Sequence, residues 1–320
     1  MDFELSSDQE ALQEGVQSLC QGRFSMEFIR SLIDAAQIDR GRWRELAETG
    51  VFSLVLPEAD GGVGLGHADA VVVFEQLGRA LVPGPLVATF LAAGIVDGAA
   101  SGDASVGLGE GRNPTYVEFL GLLDVLLVLE DNGIYRIDPK SVAGTQAPKP
   151  LDPLTPVWKV DELPRGDMVG DAALAARWRA IGATLTSALQ LGVAQGASEL
   201  ATAYAKGRFQ FGKPIGQFQA IKHMCADMVT RNEVCRAAVY WAGCALDDAE
   251  VGDPARAASV ARIQANHASS DNSKDCVQVH GGRGYTWEVD AHLFLKRAWV
   301  LAQQFGSDDA HAESLAAIVG

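Results

Sequence analysis

The feature that most constrains the fold is the order of hydrophobic patterns along this chain of 320 residues. Apolar residues follow a helical spacing at first, then form short strand-like runs, and then return to a helical spacing that continues to the end. Such an order predicts a mainly α-helical protein with a small central β domain. We therefore expect an N-terminal helical domain (1–98), a small central β domain (99–170) and a C-terminal helical bundle (171–320).

Short apolar runs define the predicted β domain. Strands are expected at 106–108, 116–119, 125–129 and 134–137. The sequence Asp131-Asn132-Gly133 predicts a hairpin turn between the last two strands.

The glycine-rich segment at 61–66 has neither a strand before it nor the third glycine of a dinucleotide fingerprint. A connection between two helices is therefore favoured over a phosphate-binding loop.

Composition narrows the class of protein. A formal net charge of −15 argues against nucleic acid and anionic membrane surfaces as partners, although local arginines could still bind a phosphorylated ligand. The five cysteines form no CxxC pair, so neither a disulfide framework nor a metal site is expected, and a reducing cytoplasm fits best. The N-terminus lacks the pattern of a secretory signal, and no apolar run is long enough to span a bilayer.

Two C-terminal segments have an unusual composition. In the first, Arg208 is expected at the end of a helix, and a turn at 212–214 leads to a second helix near Phe218. An arginine at such a corner can bind a phosphate through two hydrogen bonds, and the turn would expose backbone N–H groups. The second segment begins Gln278-Val279-His280-Gly281-Gly282, where adjacent glycines let the backbone approach a flat ligand or another chain. Spacing alone would also fit a solvated arginine and a packing histidine.

Together these segments resemble the C-terminal domain of the acyl-CoA dehydrogenase family, and 43–50, 57–58 and 75–81 resemble its N-terminal helical domain. The resemblance implies a C-terminal four-helix bundle and the FAD-dependent α,β-desaturation of an acyl-CoA. It also implies that part of the FAD is bound by the neighbouring subunit. Arg208 matches the family's diphosphate-binding arginine. The other matching cofactor-contact positions are Phe211, Gln219, Gln278, Gly281 and Gly282.

The sequence departs from the family in the parts that serve a chain's own active site. Compared with the family, the central β domain (99–170) is shortened and lacks the segments that hold the flavin ring. The position of the family's base glutamate is occupied by Gly306, and the alternative position on the preceding helix is Gly182. The nearest carboxylates are Asp308 and Asp309. A positioned general base contributes about 10²- to 10⁴-fold in rate, so its absence matters.

These features favour a non-catalytic subunit that lends FAD-binding residues to a homologous catalytic subunit in an α2β2 complex. The partner would then bind most of the acyl-CoA. The acidic composition, rich in Ala and Gly, resembles that of actinobacterial members of the family, some of which degrade steroid-derived acyl-CoA esters. A small-residue face at Gly192, Gly196 and Ala197, with the Gly281–Gly282 strip, is expected to support oligomerisation. Two alternatives remain: a self-sufficient homodimer that uses Asp308 or Asp309 as a displaced base, and a flavin-free structural protein.

Overall fold

The computed structural model describes residues 4–33, 37–111 and 113–319. Over the described residues the chain forms two compact units. The bundle unit lies within Met1–Met26, Val71–Val82 and Ala183–Gly320, and the sheet unit within Glu27–Ala70 and Pro83–Gly182. The predicted boundaries near residues 98 and 170 do not coincide with the limits of these units, so the three-domain division stays a prediction.

Helices dominate both ends of the chain, and the three longest of those described lie in its C-terminal half. The α-helices of the described residues are α1 (Ser7–Arg23), α2 (Met26–Ser31), α3 (Arg40–Glu48), α4 (His67–Arg79), α5 (Leu86–Ala92), α6 (Ala172–Gly207), α7 (Gln219–Asp247), α8 (Pro254–His280), α9 (Ala291–Leu301) and α10 (Asp308–Val319). The strands are β1 (Val106–Glu110), β2 (Thr115–Glu118), β3 (Val125–Glu130), β4 (Gly133–Ile137), β5 (Gly144–Gln146), β6 (Val157–Val160), β7 (Asp167–Asp171), β8 (Phe209–Gln210) and β9 (Lys213–Pro214). The predicted fold class, mainly helical with a small β part, is confirmed.

Local sequence explains several helix starts. Ser6 accepts a hydrogen bond from the N–H of Gln9, whose side chain bonds back to the Ser6 N–H, so a capping box opens α1. The Asp253 carboxylate caps α8, and Pro254 follows at its first position, where the missing N–H costs nothing. The segment at 61–66 is the connection between α3 and α4, as predicted.

The sheet unit contains two small sheets that share a core. One has the order β1-β3-β4-β7, with β1 parallel to β3 and the other pairs antiparallel; the second has the order β2-β6-β5 and is antiparallel. Glu130 pairs with Gly133, so the predicted hairpin is confirmed with Asp131 and Asn132 as its two-residue loop. The shared core is apolar and contains Val117, Leu120, Leu126, Val128, Ile137 and Val160. The sequence reading found β1 to β4 but missed β5, β6 and β7.

In the bundle unit, buried polar side chains fix how α6, α7 and α8 align. Asn272 of α8 donates from Nδ2 to the Ser198 hydroxyl at 3.2 Å and to the Asn232 Oδ1 at 2.8 Å. It also lies 3.0 Å from the carbonyl of Met228. A buried amide is costly to leave unpaired, so these bonds specify one register among the three helices. None of the helices in the described part of the chain is both long and apolar enough to cross a lipid bilayer.

Candidate cofactor-contact surface

A strained hairpin follows the end of α6. The strands β8 and β9 pair antiparallel and leave Phe211 and Gly212 as a two-residue turn, with φ of +51° and +78°. Both values are positive, as the tight turns of two-residue hairpins require, but only glycine adopts them at little cost. The predicted turn at 212–214 is therefore shifted, because Lys213 and Pro214 belong to a strand.

The hairpin displays aromatic side chains. Phe211 is 91% exposed at the tip, and Phe209 is also mostly exposed. The Phe211 ring meets the Phe218 ring edge to face, with centroids 6.1 Å apart, and the Lys213 ammonium lies 4.5 Å from the Phe218 centroid. An exposed aromatic ring on a strained backbone is more often found at binding sites than in purely structural turns. Phe209 was not singled out from the sequence, although its alternation with Phe211 could have indicated it.

Arg208 has a fixed backbone and an unpaired side chain. Its N–H donates to the Tyr204 carbonyl at 2.8 Å, and its carbonyl accepts from the Ile215 N–H at 2.8 Å. Its exposed guanidinium makes no hydrogen bond or ion pair within the described residues. The N–H groups of Arg208 and Ile215, which lie on either side of the predicted turn, are both used in backbone hydrogen bonds, and exposure of N–H groups within the turn stays a prediction.

The start of α7 adds further polar groups to the same corner. Gln219, its first residue, is exposed. Phe218 gives no side-chain cap to this helix, so the N–H groups of its first turn are left for solvent or a ligand.

The second segment ends α8 with an open glycine strip. Gln278 is exposed, and Gly281 has φ of +61°. A Cβ placed on Gly281 or on Gly282 would meet nothing within 4 Å, so the glycines are not required by packing inside the chain. A ligand or a second chain can therefore approach the backbone closely there.

An aromatic stack brings the two segments together. The rings of Tyr204 and His280 are stacked with centroids 4.1 Å apart. Tyr204 lies one helical turn before Arg208, and His280 follows Gln278 by two residues. His280 is buried, and its Nδ1–H donates to the Cys276 carbonyl at 2.8 Å, which makes it a packing residue. Sequence reasoning missed Tyr204, whose role depends on the bundle and not on its local pattern.

Three candidate base positions lie at another corner of the bundle unit, with Gly306 in the turn between α9 and α10 and Asp308 and Asp309 in the first turn of α10. Gly306 has φ of +101°. The carboxylate of Asp308 accepts a hydrogen bond from the Asn266 Nδ2, and it lies 3.7 Å from Nε2 of His267. Asp309 is exposed at the first turn of α10. These groups are not joined to the Arg208 corner by any hydrogen bond or ion pair among the described residues.

A buried arginine connects Asp308 to the helix core. Arg262 donates to Gln190 Oε1 at 2.6 Å, Gln190 donates to Asn266 Oδ1 at 2.6 Å, and Asn266 donates to Asp308. Burial lowers the pKa of Arg262 to about 10, although the charge of Asp308 opposes this shift. Since the arginine stays protonated at neutral pH, Asp308 is the counter-charge at the end of a polar chain.

The small residues of α6 are used inside the chain. A Cβ on Gly192 would lie 1.9 Å from the Glu75 carbonyl oxygen of α4, and one on Gly196 would lie 2.5 Å from the Phe294 ring. Ala197 is fully buried. The expectation that this face contacts another subunit is therefore wrong, because α4 and α9 already occupy it. Of the predicted oligomerisation surface, only the Gly281–Gly282 strip remains free.

The family models and the known relatives that match this chain identify the same protein family. A model of the acyl-CoA dehydrogenase N-terminal domain matches residues 6–101, and a model of the C-terminal domain matches residues 180–320. Acyl-CoA dehydrogenase IpdE2 of Mycolicibacterium smegmatis is 34% identical over 315 residues, which cover 94% of this chain and 96% of the relative. Acyl-CoA dehydrogenase FadE34 of Mycobacterium tuberculosis is 35% identical over 274 residues, or 79% of this chain and 38% of the relative.

Solved structures share the fold. A chain of the ChsE4-ChsE5 complex from Mycobacterium tuberculosis superposes with a TM-score of 0.85 at 21% identity, covering 100% of this chain and 99% of that one. A variant of the Tcur3481-Tcur3483 steroid ACAD gives 0.82 at 23% identity, with 98% and 97% covered.

Proposed function

The chain belongs to the acyl-CoA dehydrogenase family of oxidoreductases, and from this membership we propose that it is a non-catalytic subunit that lends FAD contacts to a homologous catalytic partner. Enzymes of this family generally use FAD, which accepts the hydride when the acyl-CoA is desaturated. The proposed role of this chain is to hold the diphosphate and adenosine half of a cofactor whose flavin ring lies in the partner.

The observation that carries the proposal is the unpaired Arg208 beside the exposed Phe211. A guanidinium with no partner among the described residues can form two parallel hydrogen bonds to a diphosphate. An exposed ring held by a left-handed backbone can stack on a flat base such as adenine. The exposed side chains of Gln219 and Gln278 and the open backbone of Gly281 and Gly282 supply polar contacts of the same kind. The residues present therefore fit the diphosphate and adenosine half of FAD.

The absence of a base supports the non-catalytic half of the proposal. Removal of an α proton needs a carboxylate within about 2.6–3.2 Å or one water of that proton. Gly306 offers no side chain, and residues 179–195 of α6 contain no carboxylate. Asp308 is engaged by Asn266 and balances Arg262, so it is held for packing rather than for proton transfer.

Heteromeric relatives support a partner of the same family. The fold is shared with a chain of the ChsE4-ChsE5 complex and with the Tcur3481-Tcur3483 steroid ACAD. We propose by analogy that this chain assembles with a homologous catalytic subunit as α2β2, that the partner binds most of the acyl-CoA, and that the acyl group is derived from a steroid.

Two other functions make different predictions about flavin. A self-sufficient homodimer with Asp308 or Asp309 as a displaced base would bind FAD without a partner. A flavin-free structural subunit would bind none in any assembly, and the unpaired Arg208 argues against it.

The test is the flavin content of the chain purified alone and after co-expression with homologous acyl-CoA dehydrogenases. We expect little bound FAD in the chain alone, and a flavin absorbance band in a complex with a catalytic partner. Replacing the partner's base glutamate with glutamine should abolish turnover while the flavin band remains. A full complement of FAD and steady turnover in the chain alone would contradict the proposal and favour the homodimer.

A further inference from the structure

The turn between α9 and α10 is closed around position 306. Phe305 and Gly306 are both left-handed, with φ of +53° and +101°. A Cβ on Gly306 would lie 3.0 Å from Nε2 of His311, and 3.5 Å from two of its ring carbons. The imidazole of His311 would therefore crowd a side chain at position 306 and would have to shift by a few tenths of an ångström to admit it.

Both nitrogens of this imidazole are held. Nε2 lies 2.9 Å from the carbonyl oxygen of Phe305, which can only accept, so Nε2 carries the proton. Nδ1 lies 3.1 Å from the hydroxyl of Ser259, which donates to it. Partial burial also lowers the pKa of His311 and favours the neutral ring that this arrangement requires. The ring cannot swing away without breaking a hydrogen bond at each nitrogen.

One face of α8 holds the whole turn. Ser259, Arg262 and Asn266 are three and four residues apart, which places them on the same side of a helix. Ser259 bonds to His311, Arg262 donates to the carbonyls of Leu301 and Gln304 at 3.1 and 2.9 Å, and Asn266 donates to Asp308. The three side chains thus form hydrogen bonds with the end of α9, the start of α10 and His311, which lies over the turn between them.

We infer that Ser259, Arg262 and Asn266 form a clamp, the α8 clamp, that keeps the His311 imidazole against Gly306 and makes a side chain at this position unfavourable. Ser259 acts through its hydrogen bond to His311, whereas Arg262 and Asn266 act by holding the end of α9 and the start of α10. The inference deepens the proposed function and rests on it in one respect, namely that position 306 is the family's base position. The chain would then lack a base because its turn is built around an imidazole, and substituting glutamate at 306 would not by itself restore one. Ser259 and His311 are positioning residues in this scheme.

A double-mutant cycle measured by thermal unfolding tests the inference. The variants are Gly306→Ala, His311→Ala and the double variant of the full chain, in complex with its partner where the two purify together. Gly61→Ala is the matched control, because Gly61 has φ of +78° and a Cβ there would meet nothing within 4 Å. It reports the cost of the left-handed backbone alone.

We expect Gly306→Ala to lower the unfolding midpoint more than Gly61→Ala does. With His311→Ala present, the further loss caused by Gly306→Ala should shrink to that of Gly61→Ala. Equal losses from Gly306→Ala with and without His311, or a loss no larger than that of the control, would overturn the inference.

A second pair of variants covers the case in which His311→Ala does not fold. Ser259→Ala releases one ring nitrogen and should reduce the loss from Gly306→Ala, whereas Ser259→Thr keeps a hydroxyl and should preserve it. An equal loss in both backgrounds would exclude the clamp. These measurements need neither flavin nor substrate, so their failure leaves the cofactor proposal standing, and failure of the cofactor proposal leaves the clamp standing.

Discussion

Arg208 and Phe211 lie close together in the sequence and offer two kinds of contact, a charged hydrogen bond and an aromatic face. The backbone of Arg208 is fixed by hydrogen bonds on both sides, so only its side chain remains to be ordered when an anion binds. Phe211 is presented by a turn that disfavours it, and a strained conformation of a bulky residue persists only where the surrounding structure enforces it. The backbones of both residues are thus fixed without a ligand, which would reduce the entropy lost if the proposed cofactor binds there.

Replacing Arg208 with Ala should weaken FAD retention in the complex with a catalytic partner. A hydrogen bond to a charged group is worth about 1.5–3 kcal/mol, so the dissociation constant of FAD should rise roughly 10- to 100-fold. The dissociation constant of the Arg208→Lys complex should lie between those of the wild-type and Arg208→Ala complexes, because lysine keeps the charge but lacks the planar fork. Equilibrium titration of the apo-complex with FAD would measure all three.

Arg256→Ala is the matched control for this experiment. Arg256 is also an exposed arginine of the bundle unit, but it lies 22 residues before Gln278 on α8, a separation of about 33 Å along the helix. It should leave FAD affinity unchanged. Equal affinities for the Arg208→Ala and wild-type complexes would remove Arg208 from the cofactor site.

Asp308→Asn and Asp309→Asn should each keep most of the turnover of the active complex. The amide introduced by Asp308→Asn can still accept the hydrogen bond from Asn266 through its oxygen, so the turn should remain folded. Loss of a true general base would cost about 10²- to 10⁴-fold, which steady-state kinetics would detect easily. A thousand-fold fall for either variant, with folding and flavin content intact, would favour the homodimer with a displaced base.

At the scale of elements, α4 and α6 of the bundle unit pack closely through glycines. A Cβ on Gly78 would lie 2.0 Å from the Leu189 carbonyl oxygen, as tight as the approach of Gly192 to Glu75. Glycines on both helices therefore bring the two backbones into contact. Glu75 of α4 is buried, and Arg236 and Tyr240 of α7 pair with its carboxylate, so the charge is not left uncompensated.

Gly192→Ala should destabilise the protein, because the new methyl group would collide with the backbone of α4. Overpacking of this kind costs about 1–3 kcal/mol and should appear as a lower denaturation midpoint. Gly207→Ala is the control on the same helix, where a Cβ meets nothing within 4 Å and a small gain in stability is expected. If Gly192→Ala lost nothing in folding but prevented assembly with the partner, the internal role assigned to this glycine would be wrong.

At the scale of the whole molecule, a chain with a net charge of −15 is proposed to bind a diphosphate. The negative electrostatic field of the whole protein repels an anion at long range. Interactions between solvent-exposed charges are, however, largely screened beyond about 10 Å at 0.1 M ionic strength. The affinity for an anion then depends on nearby groups. Near the hairpin these include Arg208, Lys213 and the uncapped start of α7. An acidic protein can in this way carry a local anion site. That the chain is an obligate oligomer stays a prediction, and its exposed hairpin and glycine strip are the surfaces on which it depends.

The sequence by itself determined the order of helical and strand regions, the hairpin at Asp131–Asn132 and the corner at Arg208. These features depend on local periodicity, turn chemistry and short motifs, which are written in neighbouring residues. The family resemblance likewise came from short motifs, two of them in the C-terminal region and the others in the N-terminal region. That Gly306 stands at the family's base position stays a prediction, because it rests on the family resemblance.

The tertiary structure alone decided which residues meet across the bundle. Glycines at 192 and 196 look the same in sequence whether they contact a partner or another helix of their own chain, and only the position of α4 and α9 assigns them to the interior. The strands β5 to β7 are short or exposed, so they carry too weak a pattern to be predicted. The stack of Tyr204 on His280 and the cover of His311 over Gly306 are likewise set by side chains from separate elements, since such contacts arise from packing and not from local sequence.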